Sequence, residues 1–421
     1  MSYSNIRICL GYVGNVADSA TGASNRFVAL KERNYRNYFF GTGISNSGNW
    51  AHRVAQDWLI LNLTNSAQWL GVVVAAQFLP GFFFSLHAGK WAEKVDPRRA
   101  LIACNCVAAL IAAGLAVLVL AGQVNGYHVI VAAFLLGVTN AIDGPIRQIY
   151  YVTLVGEEKL PSALSLNSAN INIGRLFGPA ISGVVIDAFG IGEAILFNSL
   201  SYLLCAASLL SIKQSEYRYR HERKSDSVIL LRDGFTYVFS QKKLFYAIFS
   251  VSFLAMWGQD MALTSALMAK NVFAGSASGF GLMGSAIAAG AILGALSFAR
   301  HKNLPSIELL TKRAFMMSGV WFFTAIAPNY WIYLVALFGC GYFSMGVNIS
   351  GNGGIRTYAS PDFYGRAWGI YIFAWQTMIA LGGIALGFLA DFLSPRGAIA
   401  CGASMALGMS LYLKVRFRAP E

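Results

Sequence analysis

A mostly apolar run of about 20 residues, the length a helix needs to cross a bilayer, recurs twelve times along the chain. The runs lie at 36–61, 67–89, 99–121, 127–150, 161–187, 193–212, 243–269, 278–299, 308–327, 330–355, 364–390 and 397–414. They are too long and too continuously apolar for the alternating strands of a barrel. A backbone in lipid must also satisfy its own hydrogen bonds, so each run predicts a helix. Composition agrees: 56% of the 421 residues are hydrophobic and 12% charged, whereas a soluble domain carries about 25% charge. A soluble enzyme would lack the polar atoms to cover its surface, and collagen-like or disordered chains are far less apolar. The expected fold class is all-α integral membrane, with twelve transmembrane helices.

The loops set the orientation. Basic residues crowd alternate connections: Arg26 to Arg36; Lys90, Lys94, Arg98 and Arg99; Lys159; Lys213 through Lys243; Arg300 to Arg313; and Lys414 to Arg418. The other connections hold little beyond Lys270 and Arg396. The first set is expected to face the cytoplasm, with both termini and the central linker. The net charge of +13 then reads as loop bias rather than a nucleic-acid surface. The first 25 residues lack a signal peptide's pattern and read as a disordered cytoplasmic extension. The six cysteines sit mostly in apolar runs without metal-ligand partners and read as small buried residues. No phosphate-cradling Walker loop is present and the five histidines do not cluster, so neither ATP drive, an enzyme, a cofactor nor a metal is expected.

The linker at 213–242 divides the chain into a 1–35 extension, a six-helix bundle at 36–212, a second at 243–414 and a tail at 415–421. The halves match one another. Leu70-Gly71 corresponds to Phe280-Gly281, and Gly144-Pro145-Ile146-Arg147 to Gly353-Gly354-Ile355-Arg356. The stretch Gly178 to Gly183, followed by Asp187, corresponds to Gly382 to Gly387, followed by Asp391. Three matches in register indicate a duplicated bundle. Two parallel six-helix repeats are the build of a rocking, alternating-access carrier with its site near the midplane.

Motifs carry the reading further. The loop after span 2 reads Gly89-Lys90-Trp91-Ala92-Glu93-Lys94-Val95-Asp96-Pro97-Arg98-Arg99. It resembles the major facilitator superfamily's glycine–acid–basic loop, with Glu93 where the family usually has Asp. Span 5 carries Gly174-Arg175-Leu176-Phe177-Gly178-Pro179-Ala180-Ile181-Ser182-Gly183, which resembles the Gly-Pro motif of that superfamily's exporters (Gly174, Gly178, Pro179 and Gly183). Gln56-Asp57-Trp58-Leu59, Gln77-Phe78-Leu79-Pro80 and Asp143-Gly144-Pro145-Ile146-Arg147 are similar to the branch of enterobactin-exporter-like and macrolide-efflux-like carriers. The resemblance covers essentially the whole chain. It implies the twelve-helix fold, a bacterial cytoplasmic or inner membrane, and a monomer.

Polar residues inside spans are costly and mark candidate sites. On span 1, Asn46, Asn49, Arg53, Gln56 and Asp57 share about 100° of arc and either line the cavity or pair with neighbouring helices. His52 beside them reads as a lone polar histidine on a wet face or as a proton relay. Asn140, Arg175, Gln259, Asn348, Trp375 and Gln376 are further cavity candidates. Arg175 meets either an anionic group of the substrate or a carboxylate of span 1 or 4. Asp260 has no basic residue within a turn and is the first choice for carrying a proton, with Asp57 and Asp143 behind it; the alternatives for Asp260 are a helix-packing hydrogen bond or an ion pair with Arg53 or Arg175. Asp57 lies near the outer end, where it could belong to a gate. Gly89, Glu93, Arg98, Arg99, Asp143, Arg147 and Arg356 are expected to form a cytoplasmic latch that pairs in the outward-facing state, unless they are permanent surface ion pairs.

Together these features predict a proton-coupled exporter of a small amphipathic molecule, which the resemblance implies is a siderophore or drug. The partners are the lipid bilayer, the substrate and the proton, with no nucleic acid. An importer of a nutrient or organic anion is the alternative, which the Gly-Pro motif opposes. A receptor or scaffold retaining the carrier fold is the third reading.

Overall fold

The computed structural model describes residues 27–92, 94–218, 231–259, 261–298, 306–361 and 363–416. Every regular element among them is helical. A 3₁₀ turn at Val28–Lys31 leads into α1 (Arg33–Thr64), followed by α2 (Ala67–Ala92), α3 (Pro97–Leu120), α4 (Gly126–Ala188) and α5 (Ile191–Leu210). After the linker come α6 (Leu231–Ser240), α7 (Lys242–Leu254), α8 (Met261–Leu267), α9 (Ala277–Phe298), α10 (Ile307–Ile326), α11 (Tyr330–Tyr358), α12 (Tyr364–Phe392) and α13 (Pro395–Arg416).

Helix α4 has 63 residues, or roughly 95 Å at 1.5 Å per residue, about twice what one crossing needs. It breaks at Gly156, whose φ of 73° lies in the left-handed region, and so supplies spans 4 and 5 as two arms. Eight of the described helices are long and apolar enough to cross a membrane. The remaining crossings are less apolar for visible reasons. Helix α1 carries the polar stripe, and α10 opens with Glu308, Lys312 and Arg313. The seventh crossing, α7 to α8, is interrupted by π-helical turns at Ala255–Gln259 and Met268–Val272. Such turns distort the regular ladder.

Boundaries differ from the apolar runs by a few residues at most ends. Helices α1 and α11 outrun theirs, reaching Arg33 and Tyr358, because apolarity marks the lipid thickness and not where a helix stops. Helix α6 had no apolar run to announce it. It lies in the linker, where Tyr237 stacks on Phe363 with ring centroids 4.3 Å apart and accepts a hydrogen bond from Ser360 N at 2.8 Å. The other end of the linker is held by the first half. Arg218 N donates to Thr153 O, Arg218 pairs with Glu32, and Tyr217 meets Tyr150 edge-on.

Within the first half α1 packs on α4 and α5, and within the second α9 packs on α11 and α10 on α13. The halves meet along α2 with α12 and along α9 with the span-5 arm of α4. Large apolar side chains such as Leu110, Val117, Val335 and Phe392 project outward. A surface this apolar is what a lipid-facing wall requires.

Candidate functional site

The site is built on α1. Asn49, His52, Arg53 and Gln56 fall on one face of this helix and line a cavity of ≈ 190 Å³ together with Gln77, Phe78 and Gly81 of α2, Asn140 of α4 and Gln376 of α12. A chain of hydrogen bonds holds the wall. Arg53 Nε donates to Gln77 Oε1 at 3.1 Å, Gln77 Nε2 to Gln56 Oε1 at 3.2 Å, and Gln56 Nε2 to Val129 O at 3.2 Å. Linked amides of this kind fix one another's orientation, and so the direction in which Arg53 points. The Arg53 guanidinium lies 5.1 Å from the ring centroids of both Trp50 and Phe78, and Arg175 lies 5.4 Å from Trp50. Two cations therefore share one indole, a favourable use of its π face. The described lining contains no carboxylate.

Of the residues expected in the cavity, Asn49, Arg53, Gln56, Asn140 and Gln376 line it. Arg175 lies over the Trp50 ring and is not among the lining residues. Asn348 donates to Ser344 O of its own helix, and Trp375 meets Phe78 edge-on at 6.4 Å. Glu93 and Asp260 lie outside the described residues, as do the side chain of Gln259 and the side-chain surroundings of Gly89. The wall also uses His52, Gln77 and Phe78. His52 shares the stripe's spacing, and Gln77-Phe78 lies within a motif already noted. Trp50 had no polar signal to mark it.

The glycine–proline stretch of span 5 presents two faces of one helix. A Cβ on Gly178 would come within 2.7 Å of Ser47 O, and Ser182 Oγ donates to Ala51 O at 2.7 Å, so this face seats on α1 beside the cavity. Pro179 and Gly183 turn to α9: a Cβ on Gly281 would meet Pro179 O at 2.2 Å.

The molecule is closed at the far end, where α1 stops at Thr64. Asp391, at the end of α12, accepts from Ala67 N at 2.8 Å, Gln68 N at 3.0 Å and Ser66 Oγ at 2.8 Å. Asp187, at the end of α4, accepts from Ala277 N at 3.2 Å, Ser278 N at 3.0 Å and the Ser278 hydroxyl. Lys270 Nζ donates to Leu61 O at 2.6 Å and Asn62 Oδ1 at 2.9 Å. Anions thus sit on helix N-termini and a cation on a helix C-terminus, the signs that backbone dipoles favour. Asp57, one turn beyond Arg53, is buried on α1.

At the near end, Arg98, Arg99, Asp143 and Arg147 of the expected latch make contacts inside the first half. Arg147 pairs with Asp143 one turn earlier on α4 at 2.7 Å. Arg98 donates to Leu209 O and Leu210 O, both at 2.8 Å, capping α5, and Arg99 N donates to Asp96 Oδ1 at 2.9 Å. Arg356 is exposed in the last turn of α11.

Comparison with known proteins follows the same lines. Residues 24–421 match a family described as transmembrane secretion effectors. The staphyloferrin A transporter of Staphylococcus aureus (strain NCTC 8325 / PS 47) is 29% identical over 177 residues, 42% of this chain and 45% of that protein. The multidrug efflux pump Tap of Mycolicibacterium fortuitum is 27% identical over 183 residues, 42% of this chain and 44% of that one. Each match therefore spans less than half of the relative's length. The MFS-type transporter YkuC of Bacillus subtilis (strain 168) is 22% identical over 381 residues, 85% of this chain and 86% of that one. The crystal structure of the nucleoside transporter NupG superposes with a TM-score of 0.73 at 14% identity, covering 92% of this chain and 100% of NupG. That likeness shows the fold alone.

Proposed function

The chain belongs to the transmembrane secretion effector family, and from that premise we propose that this multi-pass membrane transporter is a proton-driven exporter of a small anionic, amphipathic molecule. The observation that carries the reading is the charge of the cavity: Arg53 among five side-chain amides, an aromatic face at Phe78, and no carboxylate in the described lining. A guanidinium oriented by bonded amides is a site for a carboxylate or a comparable oxyanion. Phe78 accepts the cargo's apolar part. A siderophore-like anion with an apolar part fits a guanidinium beside an aromatic face.

The transporter works as a monomer in the bacterial cytoplasmic membrane, with both termini inside and the far end facing out. In the far-end-closed form cargo reaches Arg53 from the cytoplasmic side. The halves then rock: the far-end caps break and the near-end residues Glu93, Arg98, Arg99, Arg147 and Arg356 close the inner mouth. Protons return inward on a carboxylate of the spans, with Asp260 the first choice and Asp57 and Asp143 the others.

Purified protein in liposomes, with acid on the face corresponding to the cell exterior, tests this. Internal pH is followed as anionic siderophores and cationic dyes are added. The expected result is proton influx that depends on an anion, fails with the dyes, and is lost in Arg53→Gln and Asp260→Asn. Influx retained in Asp260→Asn moves the coupling to Asp57 or Asp143. Absence of anion-dependent proton movement sinks the reading.

A further inference from the structure

His52 is set apart from the rest of the cavity wall. It is 1% exposed, lines the cavity, and among the described residues neither ring nitrogen has a hydrogen-bond partner. Its neighbours are already engaged: Arg53, Gln77 and Gln56 in their chain, and Asn49 by the Tyr202 hydroxyl at 3.3 Å. Buried polar groups are almost always paired, and each exception calls for an explanation. A packing role does not explain this one, since an apolar side chain of the same shape would fill the space without leaving two polar atoms unsatisfied. His52 lies one turn from both Asn49 and Gln56 on the face of α1 that also presents Arg53.

Resting on the reading of this cavity as the cargo site, we infer that His52 is a specificity residue that hydrogen-bonds a hydroxyl of the cargo while Arg53 holds its carboxylate, so that the transported class is a hydroxy acid. With the Arg53 guanidinium supplying the charge, the imidazole works as a neutral group presenting one N–H donor and one acceptor nitrogen. A hydroxyl both accepts and donates, and so matches it. A carboxylate can only accept, and a hydrocarbon satisfies neither atom. A site built to bond a hydroxyl rejects the analogue lacking it far better than a purely apolar site could, because rejection leaves the site's own polar atoms unpaired.

The test uses two acids that differ by one hydroxyl, 4-hydroxyphenylacetate and phenylacetate, titrated by calorimetry into the full-length protein in nanodiscs. Wild type is expected to bind the hydroxy acid about tenfold more tightly. His52→Leu should lose that preference, because the hydroxy acid loses its partner and phenylacetate no longer leaves polar atoms unpaired, and His52→Gln, which keeps a donor and an acceptor, should retain part of it. Arg53→Gln should weaken both acids together. A His52→Leu protein that keeps the wild-type preference overturns the inference and leaves the anionic cavity standing. Equal weakening of both acids in His52→Leu also overturns it, since that is the mark of a structural role. Failure of wild type to bind either acid removes the anionic reading itself, and the inference with it.

Discussion

Asp187 and Asp391 make the same contact from opposite halves of the molecule. Each carboxylate stands at the end of its helix and divides its oxygens between the first two backbone N–H groups of a helix in the other half: Ala277 and Ser278 for Asp187, Ala67 and Gln68 for Asp391. Each does for a foreign helix what an N-cap residue does for its own. The caps exist only while the far end is shut, so they bias the equilibrium between the two conformations rather than adding stability to both. That differential interaction is what a gate requires.

Replacing either carboxylate by alanine is expected to cost the closed form about 1 kcal/mol, the usual value of an N-cap, or about fivefold in the open-to-closed ratio. The double variant should show the sum, because the two caps are separate contacts acting on one equilibrium. Spin labels at Leu63 and Phe392, both exposed and on opposite halves, report the far-end distance by pulsed electron resonance. Distance distributions unchanged in the double variant would remove the caps from gating.

The glycines beneath the caps give a stronger version of the same test. A Cβ on Gly71 would lie 2.2 Å from the Gly383 carbonyl oxygen, as one on Gly281 would from that of Pro179. Both obstacles are backbone, so no rotamer change relieves them. Gly281→Val should therefore exclude the closed form and leave the far end open in the same spin-label measurement. Gly408→Ala is the control, since nothing lies within 4 Å of the added carbon. A closed population in Gly281→Val equal to wild type would show that the crossing of α4 and α9 is not needed for closure.

Much of this pattern was legible in the sequence. The repeat matches Gly71 with Gly281, Gly183 with Gly387, and Asp187 with Asp391 marked equivalent positions, and the folded chain puts those residues at equivalent contacts. The partners were not legible, because a match within a repeat shows symmetry and says nothing of which helices from the two halves cross. Lys270 and Arg396 stood out as basic residues in loops otherwise poor in them. Lys270 bonds the end of α1, and Arg396 donates to Ala325 O and Ala327 O at the end of α10. A charge read against the loop bias thus had a helix carbonyl as its partner, and such acceptors leave no trace in residue type. The polar stripe of α1 was readable from periodicity. Trp50 was not, since an aromatic residue next to cations looks like packing until its neighbours are placed.

Lys270→Met follows from that contact. It removes a charge-assisted bond to Leu61 O that exists only across the halves, and bonds to charged groups contribute about 1.5–3 kcal/mol. The half-buried setting favours the low end, since water still competes for the ammonium. A shift toward the open far end comparable to one lost cap is expected in the spin-label measurement. A shift toward the closed form would show that desolvating Lys270 outweighs its bonds.

Glu32 ties the linker to the first half, and its titration has a definite sign. Burial raises its carboxyl, but hydrogen bonds and charge from Lys159 and Arg218 outweigh this and hold it below its ordinary value of 4.5. The docking it provides is therefore complete above that value and is lost as the pH falls through the lowered one. A spin label at exposed Ser215 should be restrained at neutral pH and gain mobility only in acid. In Glu32→Gln it should be mobile across the whole range. A label equally restrained in Glu32→Gln would assign the docking to Tyr150 and Tyr217 alone.

Arg147 and Arg356 match one another in the repeat, but their surroundings differ, and so should the effects of removing them. Arg147 is paired with Asp143 inside the first half, where its loss strands a carboxylate; breaking such a largely buried pair costs up to about 3 kcal/mol. Arg356 is exposed in the far-end-closed form, so its removal should leave the stability of that form within about 0.5 kcal/mol of wild type. If Arg356 joins the inner latch once the halves rock, Arg356→Ala should instead lower the far-end-open population in the spin-label measurement. Thermal unfolding separates the two roles. A large loss of stability in Arg356→Ala, or none in Arg147→Ala, would contradict the division of labour between these repeat partners.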